Sequence, residues 1–114
     1  MGIPKIGKTY NCFDDGKISK SRLYKVTVTD VIPFDKIDTK TLDIWKDEVK
    51  QCYWLYNEKT DFFIKTDNGE EDDSVEIFVR TKENGWFSIG GFMGCGRLDL
   101  DGKLTKILEE RLKQ

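Results

Sequence analysis

The sequence predicts an α+β domain built on a mostly antiparallel sheet of about six or seven strands, with one helix inserted near 39–51 and another at the C-terminus, near 103–113. Three observations carry this reading. Several short runs alternate apolar and polar residues with period two, as a strand with one wet face does. Their connections are short and hold Gly, Asn or Asp, which suits hairpins and leaves no room for parallel crossovers outside 39–51. Two further stretches repeat apolar residues every three to four positions, the period of an amphipathic helix.

Taken in order, Thr9 to Phe13 is a first strand and Asp14-Asp15-Gly16-Lys17 its turn, with Gly16 suited to positive φ. Residues 22–32 form the clearest strand: Tyr24, Val26 and Val28 alternate with Lys25, Thr27 and Thr29, and Pro33 ends it because it brings no N–H to the ladder. In 39–51, Leu42, Trp45 and Val49 make an apolar stripe that continues to Cys52 or Tyr53. Asp38 or Thr39 can cap the first amides, and Lys40, Asp43, Lys46, Asp47 and Lys50 form a solvated face. Two aromatic-rich runs, 53–56 and 61–66, flank Asn57-Glu58-Lys59-Thr60 and read as a hairpin. Val75, Ile77 and Val79 then alternate with Glu76, Phe78 and Arg80, and Asn84-Gly85 turns that strand into the next, 86–89. Arg97 to Leu100 is the last strand and Asp101 the cap that follows it. Leu104, Ile107, Leu108 and Leu112 mark the C-terminal helix.

A chain of 114 residues with three Trp, four Tyr and seven Phe can fill one core, so residues 1–114 are expected to form a single globular domain. The longest fully apolar run, Cys52 to Tyr56, is far too short to span a bilayer, and no membrane association is predicted. Three widely spaced Cys with no apolar leader ahead of them predict a reducing, cytoplasmic setting. The chain has no His, which removes serine triads, cysteine–histidine dyads and His-ligated metal sites. No Cys pair has the spacing of a zinc site, so neither metal nor cofactor is expected.

The formal net charge of −2 argues against general nucleic-acid binding. Charge is segregated, however. Residues 1–25 carry Lys5, Lys8, Lys17, Lys20, Arg22 and Lys25 against Asp14 and Asp15, whereas 67–76 holds six carboxylates and no cation. Three candidate sites follow. The loop Asp67, Glu70, Glu71, Asp72, Asp73 suits a basic protein partner. The glycine-rich segment from Gly90, with Gly91, Gly94, Cys95, Gly96 and Arg97, could form a small-ligand or thiol site. Gly91 and Gly96 have the gap of a phosphate-binding loop, but Arg97-Leu98 stands where Lys and Ser or Thr belong, so tight turning or close backbone approach explains the glycines better. Cys95 has only Arg97 nearby to lower its pKa. Tyr10, Phe13 and Tyr24 among Lys8, Lys17, Lys20 and Arg22 could serve as stacking platforms for nucleic acid. Asp99-Leu100-Asp101-Gly102 fails as a calcium loop because Lys103 and Leu104 occupy the positions of an oxygen ligand and the turn glycine. With no complete catalytic set, the sequence predicts a non-enzymatic intracellular protein-binding module, of the immunity or inhibitor kind, acting through its acidic loop.

Overall fold

In the computed structural model, β1 (Thr9–Phe13) pairs along one edge with β2 (Leu23–Pro33) and along the other with β6 (Arg97–Asp99), and this double pairing closes the sheet into a barrel. Between them run β3 (Phe62–Asp67), β4 (Val75–Arg80) and β5 (Trp86–Gly90), every neighbouring pair antiparallel. Helix α1 (Thr39–Gln51) connects β2 to β3, and α2 (Lys103–Leu112) follows β6. The structure describes residues 3–51, 62–69, 75–80, 85–90 and 96–113. The α+β class and the antiparallel pairing are those the sequence predicts. The closure is new, because alternation shows which residues share a face but not where the sheet's edges go. The strand expected at 53–56 lies outside the described residues.

Closure needs curvature, and two irregularities supply it. The β2–β3 register shifts between Val28 and Asp30, and the β4–β5 register shifts between Ile77 and Phe78. At the first, the Thr29 hydroxyl leaves the ladder pattern and donates to the Lys65 carbonyl at 3.2 Å. Pro33 is the last residue of β2, opposite Phe62, as its missing N–H requires.

Alternation along the strands sorts side chains into two cores. Tyr10, Cys12, Val26, Val28, Ile64, Phe78, Trp86 and Leu98 fill the barrel. On the outer face, Phe63, Val79 and Ile89 are buried against Phe34, Ile37, Ile44 and Trp45. Phe34 anchors this second cluster, with Trp45 edge-on at 4.9 Å and Phe63 stacked at 5.6 Å between ring centroids. Helix α1 begins where the sequence places it: Asp38 Oδ1 accepts the Thr41 N–H at 2.6 Å. Lys40, Asp43, Lys46 and Asp47 are exposed, as their spacing predicts.

Helix α2 corrects one expectation. Asp101 accepts only the Lys103 N–H, at 3.1 Å, and the capping work falls to Asp99. Its two oxygens take the Leu104 N–H at 3.1 Å and the Thr105 N–H at 2.9 Å, and the Thr105 hydroxyl also donates to it. That same hydroxyl accepts from Asn11 Nδ2 at 3.0 Å, which ties α2 to β1. Asp99 is therefore buried, because three donors replace the water it loses.

Phe63 is fully buried and shared between α1 and the sheet, so Phe63→Ala should destabilise the fold by about 3–5 kcal/mol in urea melts, the usual loss from emptying a large aromatic site.

Candidate functional site

Antiparallel pairing around the barrel places the connections β1–β2, β3–β4 and β5–β6 at one rim. These three connections are the segments that the sequence singles out by charge or by glycine. The first, 14–22, begins after Phe13, which pairs with both Leu23 and Arg97. The second follows Asp67, whose partner Val75 is the last pair of the β3–β4 ladder. The third ends at Gly96. Asp67 is exposed and accepts the Gly69 N–H at 2.8 Å. Glu70, Glu71, Asp72, Asp73, Gly91, Gly94 and Cys95 lie outside the described residues, whereas Gly96 and Arg97 lie within them.

The first connection does not make a basic face. Arg22 pairs with Asp14 at 3.1 Å and Lys17 with Asp15 at 3.9 Å, while Lys5 and Lys8 belong to the opposite rim, where the Lys8 carbonyl accepts the Val28 N–H. The aromatic residues expected as stacking platforms are also committed. Phe13 is fully buried, Tyr10 lies in the barrel core, and the Tyr24 hydroxyl donates inward to Glu76 Oε2 at 3.0 Å. A stacking surface needs open ring faces, so the N-terminal sheet does not provide one.

Beneath the rim lies a polar cluster that the sequence hides. In β4, Glu76 and Phe78 turn into the barrel while Val79 and Ile77 pack in the outer cluster, so both faces of this strand are covered. Glu76 and its cross-strand neighbour Thr66 are both wholly buried, and neither Glu76 Oε1 nor Thr66 Oγ1 has a hydrogen-bond partner. Burial raises the Glu76 carboxyl above the ordinary range, although hydrogen bonds from Ser88 and Tyr24 favour its ionised form. Burial also drives the Tyr24 phenol upward, and the adjoining Cys12 and Glu76 add to the rise. Cys12 is pushed up to about 12, chiefly by burial, so near neutral pH it is a thiol and no nucleophile.

Gly96 closes over this cluster. A side chain there would collide with the Tyr24 hydroxyl and come within 2.9 Å of Cys12 Sγ, so glycine is required for close approach, as the sequence suggests for this segment. The Gly96 carbonyl accepts the Ser88 N–H at 2.7 Å, fixing the chain as it enters β6.

A second concavity lies at the other side of β6. A cleft of about 280 Å³ separates α2 from the β5–β6 edge, lined by Trp86, Leu98, Leu100, Leu104 and Ile107 together with Gly85 and the charged residues Arg97, Asp99, Asp101 and Lys103. Among the described residues no three His, Cys, Asp or Glu groups gather as a metal site, and no helix is long and apolar enough to cross a membrane. Protein-family models, curated proteins and solved structures give no match to this chain.

Two outcomes test the polar cluster. Glu76 has a folded pKa above its unfolded value of 4.5, so the fold favours the protonated form. Stability should be greatest below that value and fall as pH rises through it toward the folded pKa. Glu76→Gln should remove this decline and raise the melting temperature at neutral pH, a comparison made by thermal melts across the acid range. Gly96→Ala should lower stability sharply, and adding Tyr24→Phe should recover part of the loss by deleting the colliding hydroxyl, as a double-mutant cycle would register.

Proposed function

We propose that this protein is a non-enzymatic intracellular binding module of the inhibitor or immunity kind, and that its barrel presents the acidic residues Asp67, Glu70, Glu71, Asp72 and Asp73 to a basic protein partner. The observation that supports this reading is the Asp67–Val75 pair. Both ends of the acid-rich connection leave one ladder of the closed sheet, so the connection starts and ends at one rim, and the sequence has no cation between residues 67 and 76. Held this way, the charges sum into a local field that steers a basic partner. A non-enzymatic role accords with the buried chemistry: Cys12 is held as a thiol, and the Tyr24 hydroxyl beside it donates to Glu76. The pairing of Lys17 and Arg22 with Asp15 and Asp14 in the first connection, and the inward aromatics, weigh against nucleic acid as the partner.

The experiment is an association-rate measurement against ionic strength with a partner isolated from the source cell. Replacing Glu70, Glu71, Asp72 and Asp73 with Gln or Asn should slow association about tenfold or more at low salt, flatten its salt dependence and leave the thermal melt unchanged. Association at the unaltered rate with the same salt slope would overturn the proposal.

A further inference from the structure

The cleft beside α2 stands apart from the acidic rim and has a chemistry of its own. Its lining is mainly apolar, from Leu98, Leu100, Leu104 and Ile107, and Ile107 remains 39% exposed. Of its four charged residues, three already have partners. Both oxygens of Asp99 hold the first amides of α2, and Asp101 pairs with Lys103, accepting its N–H and lying 3.7 Å from its Nζ. Arg97 differs. It is half-buried, and among the described residues its guanidinium makes no ion pair or side-chain hydrogen bond.

We propose that this cleft binds a small apolar carboxylate, with the ligand's body against Leu100, Leu104 and Ile107 and its carboxylate on Arg97. A guanidinium offers a planar fork of donors that matches the two oxygens of a carboxylate. The apolar lining favours an aryl or alkyl body over a sugar or a nucleotide. The volume, about 280 Å³, sits just under the ~300–1,000 Å³ of sites for drug-sized molecules, which fits a small acid better than a peptide. A cationic ligand is disfavoured because both carboxylates of the cleft are engaged and Arg97 would repel it.

The test uses phenylbutyrate as the probe and phenylbutanol as its uncharged counterpart, each titrated into the whole protein at neutral pH and followed by amide chemical shifts. Saturable shifts are expected in β6 and the first turns of α2, with the acid binding about tenfold or more tightly than the alcohol. Arg97→Gln should abolish that preference, and Arg97→Lys should keep part of it. Equal binding of acid and alcohol by the unaltered protein, shifts confined to other elements, or no saturation below ~10 mM would each refute the proposal without recourse to a variant. Neutralising residues 70–73 should leave this titration unchanged, so the cleft and the acidic rim are tested separately.

Discussion

The barrel depends on a five-residue strand that is paired along both edges. Asn11, Cys12 and Phe13 each face a residue of β2 on one side and a residue of β6 on the other: Lys25 and Asp99, Tyr24 and Leu98, Leu23 and Arg97. Without β1 the sheet would present two long rows of unpaired backbone groups, an invitation to join another chain. With it, no edge remains at the join, and the parity of every strand is set. Cys12, Tyr24 and Leu98 share one level inside the barrel. The chain that enters β6 has to cross that level, and the tight passage over Tyr24 and Cys12 is why position 96 is glycine.

Closure also explains why the interior is polar near this rim. Barrels of about eight strands have just enough room for side chains, and one of six strands is narrower still. Once parity directs Glu76 and Thr66 inward they cannot reach solvent, and burial makes ionisation of the carboxyl costly. Tyr24 and Ser88 offset part of that cost by hydrogen-bonding to the carboxyl group. The same low-dielectric surroundings hold the Cys12 thiol protonated. Cys12, Tyr24 and Glu76, residue types that carry chemistry elsewhere, are here held in their neutral or hydrogen-bonded forms by the geometry that encloses them.

Much of the fold is legible from period alone. The strand at 22–32 and the helix at 39–51 declare themselves because one face of each is wet, and Asp38 sits where a helix start needs an acceptor. Legibility fails where both faces are covered. In β4, Ile77 and Val79 meet the Phe34, Ile37 and Trp45 layer, while Glu76 and Phe78 turn into the barrel. Phe78 is the signal the sequence offers, an aromatic residue alternating on the same face as Glu76. Asp99 was missed for another reason. Asp101 lies nearer the helix in sequence, yet only Asp99, outward-facing at the end of a barrel strand, can reach the amides of Leu104 and Thr105. Of the candidate site, sequence could find the three segments by composition. That they share a rim is a property of antiparallel closure, which no local pattern contains.

The three residues of β6 show how one short strand links these features. Leu98 points into the barrel and completes the core, whereas Arg97 and Asp99 share the outer face, two residues apart, where opposite charges would ordinarily compensate each other. The α2 amides and the Thr105 hydroxyl compete for the carboxylate, and helix capping wins because the first amides of a helix have no partner within it, with Asn11 bracing Thr105 from β1. A surface ion pair contributes at most about 1 kcal/mol, and a buried N-terminal acceptor is worth as much or more. Arg97 is therefore left without that partner, beside the cleft between α2 and the β5–β6 strands. The unpaired guanidinium of the cleft is thus a consequence of how the helix begins, because the capping that stabilises α2 leaves Arg97 available to an acid from outside.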